Sequence, residues 1–445
     1  MRDMIRFAEE KDLRKFEEFV LSHGGQYLQS AKWADAKTSW GHRFYSGFSG
    51  EKRVLTALVL IRSIPGAGKL WYCPAGPVCD YTDGDLLAQF AAYMTSEMKK
   101  HGGFALFLDP CIPLRVNGEK QESGVAVHNA LLKAGFVLNP SVSKYVYKAP
   151  VQMIVPLFDR EGKPVTAQSL LKSFEKGIRY SVRVGESRGL TEAVYTIDDV
   201  ERDPRILEDF SSIMDDTSDR NDFTSRNNEY VKNLMKTFGP EGMDVMLIYY
   251  DRQKDTALEE ERQKRKEVLE TSLETAPEKK LRGIREEIES IDKQHEHFAE
   301  RMKETEGMGD RVAVAGGVTS NYGGTRSCLF GGARNLLRNN LRASHFFNFR
   351  RLSRSIDLGC RYHDLGYVLV EDAPLDEDGT LGVCPPREDF VGIEAFKRSF
   401  GAEKQEYIGE YALVANRVRY FSYTHLIGIA KQMLGFVHGV IRRSR

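Results

Sequence analysis

The chain has 445 residues, which is too long for one ordinary hydrophobic core and favours two or three domains. Because Lys plus Arg and Asp plus Glu both number 64, the net charge is zero, which argues against a globally basic nucleic-acid-binding protein. A hydrophobic content of 41% argues against a disordered chain, and no apolar run is long enough to span a bilayer.

The N-terminal residues and the cysteines both indicate a cytoplasmic protein. The segment from Met1 to Arg6 lacks the apolar core of a signal peptide. Six Cys are scattered along the chain with neither a Cys-x-x-Cys pair nor a metal-ligand spacing. This distribution predicts reduced, mostly structural thiols and no metal site.

A Gly-Ala-Gly-Lys run that ends at Lys69 has some features of a nucleotide-binding loop. Such a loop requires a glycine where Ser63 stands, a hydroxyl where Leu70 stands, and a helix after it. Strand-like residues lie on both sides instead, at Val54–Ile61 and Leu70–Cys73. The sequence therefore predicts a β-hairpin turn here and not a phosphate site.

One order of secondary structure occurs twice along the chain. Residues 86–110 predict a helix, a glycine stop at Gly102 and a strand, and residues 346–368 predict the same order with the stop at Gly359. Antiparallel strand signals precede the two copies, at Val54–Tyr72 and Val312–Leu329. Strands followed by a helix and a further strand form an α+β pattern, so we predict two similar α+β domains.

Residues 252–306 differ from the rest because they are almost all Glu, Lys, Arg, Gln and spaced apolar residues. In the second half, steps of three and four alternate along Leu281, Ile284, Ile288, Ile291, His295, Phe298 and Met302. Pro277 cannot lie inside a continuing helix, so the pattern predicts two helices folded back as an antiparallel hairpin. The hairpin fits a rigid spacer, a dimer contact or a lever that touches a large partner.

The predicted domain boundaries follow from these features. The first domain is 1–150, the second is 151–251 with 307–420, and the hairpin of 252–306 interrupts it. Residues 421–445 form an amphipathic helix, because apolar residues recur there at helical spacing before a final Arg-Arg-Ser-Arg. That helix is either buried or lies on the inner membrane leaflet as a peripheral contact.

Five short stretches match, in order, the motifs of a known protein family. They are Tyr27–Trp33 with Lys37–Gly41, Tyr72–Val78, Phe107–Pro110, Thr217–Phe223 and Phe396–Gly401. Together with the charged hairpin, they resemble the Fem (FemABX) family of peptidoglycan aminoacyltransferases over most of the chain. The resemblance implies an α+β fold of two GNAT-like domains, with an antiparallel coiled-coil hairpin inserted in the second.

The resemblance also implies a reaction and its partners. A small amino acid would move from aminoacyl-tRNA to the side-chain amine of the stem peptide of a peptidoglycan precursor, which builds the interpeptide bridge. Family members with a helical arm generally act on lipid II, so lipid II is the expected acceptor and UDP-MurNAc-pentapeptide the alternative. No cofactor is expected beyond the aminoacyl-tRNA co-substrate. The expected location is the cytoplasm, at the inner face of the plasma membrane.

Three residues are expected to carry the chemistry. Asp109 follows a predicted strand and is expected to accept a proton from the acceptor ammonium or to orient the amine, unless it only caps the turn before Pro110. Lys397, with Phe396 packed beside it, is expected to stabilise the oxyanion or to bind the tRNA terminus. The alternative for Lys397 is a solvated surface side chain.

Five further residues are expected to bind the precursor. Lys37 and Arg220 match the family's positions for the diphosphate, for which a point charge and a planar fork are both suited. Trp40 is expected either against the sugar or uridine or in the core. Phe223 and Tyr230, which lie near Arg220 in sequence, complete the set.

The second domain departs from the family's Tyr-Leu-x-Gly-x-Ser stretch. Cys328 stands in place of the Tyr, and Ala333 stands in place of the Ser, so a stem-peptide contact by that Tyr is not expected here. In the following strand, His363 is expected to be a packed or edge residue.

Two other functions are compatible with parts of the sequence. An acyl-CoA-dependent GNAT N-acyltransferase would require an Arg/Gln-x-x-Gly-x-Gly/Ala loop for the CoA pyrophosphate, and the chain has no good instance. A catalytically inactive coiled-coil scaffold would retain the fold, which the Cys328 departure permits.

Overall fold

The structure is a computed structural model of the chain, and it describes residues 4–142, 149–221 and 226–424. These residues form two compact units. Unit 1 contains the described residues up to Ile154, together with Leu365–Arg398 and residues 403–424. Unit 2 contains the described residues of Val155–Asp364, together with Ser399–Ala402.

Strands and helices alternate along both units. The strands are β1 (Arg6–Glu9), β2 (Gly41–Ser49), β3 (Lys52–Ile64), β4 (Gly68–Cys73), β5 (Val78–Cys79), β6 (Gly103–Leu108), β7 (Pro113–Val116), β8 (Glu119–Lys120), β9 (Val137–Leu138), β10 (Val151–Pro156), β11 (Leu190–Tyr195), β12 (Met243–Asp251), β13 (Arg311–Tyr322), β14 (Thr325–Ala333), β15 (Tyr362–Tyr367), β16 (Glu403–Tyr407) and β17 (Tyr411–Val414). The helices are α1 (Leu13–Ser22), α2 (Ala31–Ala36), α3 (Gly84–His101), α4 (Glu122–Lys133), α5 (Ala167–Ser173), α6 (Lys176–Ser187), α7 (Ile197–Arg202), α8 (Arg205–Asn221), α9 (Asn228–Phe238), α10 (Arg252–Leu273), α11 (Glu278–Glu304), α12 (Arg338–Leu341), α13 (Ala343–Asp357) and α14 (Glu388–Arg398).

Unit 1 contains a sheet with the strand order β1-β2-β3-β4-β6-β17-β9, and β5 pairs with β3. The predicted turn before Lys69 is confirmed, because β3 and β4 form an antiparallel hairpin in which Ile64 pairs with Gly68. After the hairpin, α3 returns the chain so that β6 lies parallel to β4. The apolar face of α3, from Leu86 to Met98, is buried as its spacing indicates, and each large side chain contributes about 2 kcal/mol.

Unit 2 repeats this order of elements. Strands β11, β12, β13, β14 and β15 are neighbours in that order, and β13 and β14 form an antiparallel hairpin. Helix α13 then returns the chain so that β15 lies parallel to β14. Both return helices are followed by a glycine in the left-handed conformation, Gly102 with φ 74° and Gly359 with φ 68°. The α+β class is confirmed.

The predicted hairpin of two helices is also confirmed. Helices α10 and α11 are inserted between the neighbouring antiparallel strands β12 and β13, whose last pair is Asp251 with Arg311. Their antiparallel direction follows from the ion pairs between them, since Asp255 near the start of α10 bonds Arg301 at 2.7 Å, while Arg265, farther along α10, bonds the earlier Glu287 at 3.0 Å. We call this pair of helices the arm.

A buried ion pair joins the two helices at the base of the arm. Both oxygens of Asp255 accept from Arg301, at 2.7 and 3.0 Å, and both side chains are 0% exposed. The hydroxyl of Tyr250 donates to the same carboxylate at 2.8 Å. Because a buried charge is costly without its partner, removal of either residue would destabilise the base of the arm strongly.

The division into units differs from the predicted domain boundaries after residue 364. The prediction assigned 307–420 to the second domain, whereas Leu365–Arg398 and residues 403–420 belong to unit 1. Strand pairing explains the difference, because β16 pairs with β7, and β17 inserts between β6 and β9. The predicted C-terminal helix of 421–445 lies outside the described residues from 425 onwards.

Candidate active site

The carboxylate of Asp109 lies at the end of β6 in unit 1 and is 6% exposed. The hydroxyl of Tyr72 donates to Oδ2 at 2.6 Å, and the backbone N–H of Ala75 donates to Oδ1 at 2.6 Å. Ala75 has a φ of 51°, a left-handed conformation that costs a non-glycine residue about 1 kcal/mol. Two protein donors therefore fix the orientation of this carboxylate.

Three of the sequence motifs converge around Asp109. Tyr72 and Ala75 belong to the Tyr-Cys-Pro-Ala-Gly-Pro stretch, and Gln29 belongs to the opening motif. The Gln29 side-chain amide is buried, donates to the Pro74 carbonyl at 2.6 Å and accepts from Leu58 N–H at 2.8 Å. It thereby holds the loop whose Ala75 N–H donates to Asp109.

A second buried carboxylate, which the sequence reasoning missed, lies beside the first. Tyr411 of β17 pairs with Leu108 of β6, so the same register continued by one residue sets Glu410 opposite Asp109. Glu410 is 0% exposed, and its Oε1 accepts from the Asn139 side-chain amide at 2.9 Å. A charged residue directly before a buried strand was the only sequence signal for it.

The two carboxylates act on the phenol of Tyr72. Burial raises the pKa of Tyr72 well above its usual value, and the neighbouring Asp109 and Glu410 carboxylates raise it further. Tyr72 therefore stays protonated and remains a hydrogen-bond donor to Asp109 over the physiological range. A carboxylate whose orientation is fixed in this way is suited to orienting an amine.

Lys397 and Phe396 lie in the last turn of α14, in unit 1, and both are half-buried. The Lys397 Nζ donates to the carbonyl oxygen of Tyr367 at 2.8 Å. This contact fixes the ammonium in one position, which is the property that an oxyanion-stabilising cation requires.

Lys37 and Trp40 follow α2 in unit 1, and both are half-buried. The Nζ of Lys37 lies 4.1 Å from the ring centroid of Trp33, and the guanidinium of Arg62 lies 5.7 Å from the ring centroid of Trp40. A positively charged group thus lies over each indole, an arrangement that suits an anionic or aromatic ligand.

Arg220 ends α8 in unit 2 and bonds the C-terminal end of β14. Its Nη1 donates to the Asn335 side-chain oxygen at 2.6 Å, and its Nη2 donates to the Ala333 carbonyl at 3.3 Å. The helix approaches the strand closely here, because a Cβ on Gly332 would lie 2.1 Å from the Thr217 hydroxyl. Burial and the neighbouring Arg338 lower the pKa of Arg220.

Tyr230 of α9 packs against the same strand, β14. Its ring packs edge-on against Phe330 of β14, with 6.4 Å between ring centroids, and the Arg226 guanidinium lies 5.3 Å from its ring centroid. Arg220 and Tyr230 are therefore brought together on β14 in unit 2, whereas Asp109, Lys37 and Lys397 belong to unit 1. Phe223 lies outside the described residues.

The position where the family has a tyrosine has different surroundings here. Cys328 is half-buried, and the Nη1 of Arg351 lies 2.9 Å from its Sγ. Arg351 is 5% exposed, donates to the Asn348 side-chain oxygen and lies 4.9 Å from the Phe347 ring centroid. The guanidinium of Arg351 thus lies beside Cys328, the position where the family has a tyrosine.

The described residues contain neither a metal-ligand cluster nor a membrane-spanning helix. Within 4–142, 149–221 and 226–424, no three His, Cys, Asp or Glu side chains cluster as metal ligands. In the same ranges, none of the helices combines the length and the apolar character that crossing a membrane requires.

The sequence matches the FemAB family over residues 12–427. The lipid II:glycine glycyltransferase of Staphylococcus epidermidis is 26% identical over 432 residues, which cover 94% of this chain and 94% of that protein. The lipid II:glycine glycyltransferase of Staphylococcus saprophyticus is 25% identical over 414 residues, which cover 90% and 91%.

A solved structure supports the same relation at the level of fold. The crystal structure of FemX superposes with a TM-score of 0.72 over 94% of this chain and 100% of that chain, at 21% identity. The shared fold, the family match along nearly the whole length and the ordered motifs around Asp109 and Arg220 agree. The chain belongs to the FemAB family.

Proposed function

We propose that this protein transfers a small amino acid from aminoacyl-tRNA to the side-chain amine of a lipid II stem peptide. The observation that carries the proposal is its match, over about nine-tenths of both chains, with staphylococcal lipid II:glycine glycyltransferases. The product is an extended interpeptide bridge of peptidoglycan. UDP-MurNAc-pentapeptide is the alternative acceptor, and the reaction takes place in the cytoplasm, where aminoacyl-tRNA is available.

The transfer makes one bond and breaks one bond. The acceptor ammonium loses a proton, and its nitrogen attacks the ester carbonyl carbon of the aminoacyl-tRNA. The ester C–O bond then breaks, and the ribose oxygen leaves with the second proton of the amine. The net products are an amide, deacylated tRNA and one proton.

Asp109 is the group that orients the acceptor amine and accepts its first proton. Tyr72 and Ala75 each donate to one of its oxygens, which fixes the orientation of the carboxylate. Glu410, opposite in the strand register, is a second buried carboxylate. General-base catalysis of this kind contributes roughly 10²- to 10⁴-fold in rate.

Lys397 stabilises the negative charge that develops on the carbonyl oxygen, and Phe396 packs beside it. Its Nζ is already held by the Tyr367 carbonyl, so little reorganisation is needed when charge develops. Lys37 and Arg220 bind the diphosphate of the acceptor, and Trp40, Phe223 and Tyr230 contact its sugar and peptide portions. Arg220 is suited to this because its planar fork binds two oxygens at once.

The experiment combines the purified full-length protein with lipid II and tRNA charged with labelled Gly, Ala or Ser. We expect label in lipid II with at least one charged tRNA and none with the corresponding acyl-CoA. Product from acyl-CoA alone would favour the N-acyltransferase alternative, and no product from either donor would favour the scaffold. Muropeptides from cells that lack the protein should show a shortened bridge by mass spectrometry.

A further inference from the structure

A cavity of about 450 Å³ lies in unit 2 at the base of the arm. Its lining comes from α6 and the residue after it, from the last turns of α11, and from the segment 335–342. The side chains that decide its chemistry are Tyr180, Arg188, Glu300, Glu304, Arg338 and Arg342. This volume is in the range that holds a ligand of nucleotide size.

Two guanidinium groups in this cavity lack a counterion among the described residues. Arg338 and Arg342 are exposed, and within the part of the chain that the structure describes neither side chain forms a hydrogen bond or an ion pair. Arg188 is different, because it already donates to the side-chain oxygen of Asn340 at 2.9 Å. Burial and the neighbouring Arg338 lower the pKa of Arg220. Arginines that lack an ion-pair partner favour a ligand that brings several negative charges.

The segment that carries these arginines is held in a defined conformation. Leu337 and Arg342 both adopt left-handed backbone conformations, with φ values of 54° and 56°. The Asn340 side chain links the segment to Arg188 and to Arg301 at the base of the arm, each at 2.9 Å. The backbone that carries Arg338 and Arg342 is therefore held by partly buried contacts of Asn340.

Three other side chains that line the cavity, Tyr180, Glu300 and Glu304, indicate which class of anionic ligand would fit. Tyr180 is 61% exposed, an unusual state for a large aromatic side chain and suited to stacking a base. Glu300 and Glu304 line the arm side, and the Glu300 carboxylate accepts from the Asn340 amide at 3.2 Å. Carboxylates opposite the arginines disfavour a flat anionic membrane but leave room for a single strand whose phosphates face only one wall.

We propose that this cavity binds one nucleotide of the donor RNA, with the base on Tyr180 and the adjoining phosphates on Arg338 and Arg342. The inference rests on the proposed function, because an RNA donor is part of it, and it names where unit 2 holds that donor. Since phosphate contacts to Arg dominate affinity and release counterions, binding should weaken steeply with salt.

The test measures binding of deacylated tRNA to the full-length protein by fluorescence anisotropy between 50 and 200 mM salt. We expect the variant Arg338→Glu/Arg342→Glu to bind at least about tenfold more weakly at low salt, with a salt slope reduced by about 1 to 2. Tyr180→Ala should weaken binding about tenfold without changing the slope. Circular dichroism should show that each variant is folded.

The matched control is Arg14→Glu/Arg205→Glu, which makes the same change in net charge at two exposed arginines outside the cavity. It should retain most of the tRNA affinity. Equal losses in the two double variants, or unchanged affinity and slope in Arg338→Glu/Arg342→Glu, would overturn the inference. Loss of binding to anionic phosphatidylglycerol vesicles with tRNA affinity intact would also overturn it, in favour of a membrane contact.

The transfer assay separates this inference from the proposed function. A wild-type protein that binds tRNA through Arg338 and Arg342 but yields no product leaves the inference standing and contradicts the proposed function. A wild-type protein that yields product, beside an Arg338→Glu/Arg342→Glu variant with unchanged tRNA affinity, contradicts the inference alone.

Discussion

The two hairpin–helix–strand repeats share their order of elements and differ in the charges that they bury. In unit 1 the strand after the helix ends in the Asp109 carboxylate, which Tyr72 of the adjacent parallel strand holds. In unit 2 the corresponding strands, β14 and β15, carry Arg326 and His363 as a pair near their first residues. One repeat thus buries a carboxylate at the end of its parallel strands, and the other buries a guanidinium and an imidazole near their start.

Two arginines of unit 2 share one carboxylate. Arg326 and Arg354 both bond Asp244, at 2.7 and 2.9 Å for the shortest contacts, and Arg351 donates to the neutral Cys328 and Asn348 side chains. The backbone order has been kept in the two repeats while the polar side chains have diverged. Function must therefore be assigned to particular side chains in each unit and not to the repeated fold.

The largest expected effect is on stability, in unit 2. Asp244→Asn leaves Arg326 buried without a counterion, because Arg326 and Asp244 are 2% and 5% exposed and paired by two hydrogen bonds. We expect a loss of about 3 to 5 kcal/mol in the free energy of unfolding, measured by urea denaturation. The loss comes from stranding a buried charge and not from the net strength of the pair.

A second variant checks this reason. Asp244→Asn combined with Arg326→Met removes both charges and should recover much of the loss, because an apolar pair of similar volume is often tolerated. A single variant that loses less than about 1 kcal/mol would show that Arg326 finds another partner, and would contradict the contrast between the units.

The next effect concerns the carboxylate of unit 1. Asp109→Asn keeps the size of the side chain but cannot accept a proton, so we expect the single-turnover rate of transfer to fall about 10²-fold or more. Tyr72→Phe, which removes one of the two donors to Asp109, should lower the rate by a smaller factor. Rapid-quench measurement of labelled lipid II gives both rates.

Asp159→Asn is the matched control, because Asp159 is an exposed aspartate that caps a turn through the N–H groups of Glu161 and Lys163. It should leave the transfer rate unchanged. If Asp109→Asn instead retained the transfer rate and only lowered stability, Asp109 would be a strand-end cap before Pro110. The buried carboxylate of unit 1 would then have no catalytic role.

A smaller effect is expected at Arg220, which bonds Asn335 and Ala333 with its planar fork. Arg220→Lys keeps the charge but loses this geometry, so we expect KM for the lipid-linked acceptor to rise about tenfold with little change in kcat. Steady-state kinetics with varied lipid II give both constants. Arg202→Lys, at an exposed helix end, is the control and should change neither constant.

The sequence predicted the elements whose signals are local. The turn before Lys69, the buried face of α3 and the seam of the arm around Ile291 follow from periods of two and about 3.5 residues within short windows. It missed Glu410, because Glu410 reaches Asp109 only through the pairing of Tyr411 with Leu108, two residues that lie far apart in the sequence. Pairing between distant strands also places most residues after 364 in unit 1. No local sequence pattern indicates this assignment.

The smallest expected effect is a pH dependence confined to the second repeat. His363 is fully buried, its Nδ1 lies 2.7 Å from the Ser355 hydroxyl, and burial with Arg351 and Arg326 nearby lowers its pKa well below 6.5. The unfolded chain therefore binds a proton near pH 6.5 that the folded chain does not bind. Stability is fully present above that pH and falls as the pH drops below it.

Urea midpoints at pH 7.5, 6.5 and 5.5 test this for the wild type and for His363→Gln, which keeps a polar group beside Ser355. The variant should lose less stability between pH 7.5 and 5.5 than the wild type does. His345→Gln offers a comparison, because burial lowers the pKa of His345 to about 4 and gives the same sign of dependence. Strand β6 of unit 1, Gly103–Leu108, carries no titratable side chain, so the acid-sensitive strand belongs to unit 2. Equal pH dependence in wild type and His363→Gln would contradict this prediction. It would mean that His363 also binds a proton in the folded state, despite its burial and the nearby Arg351 and Arg326.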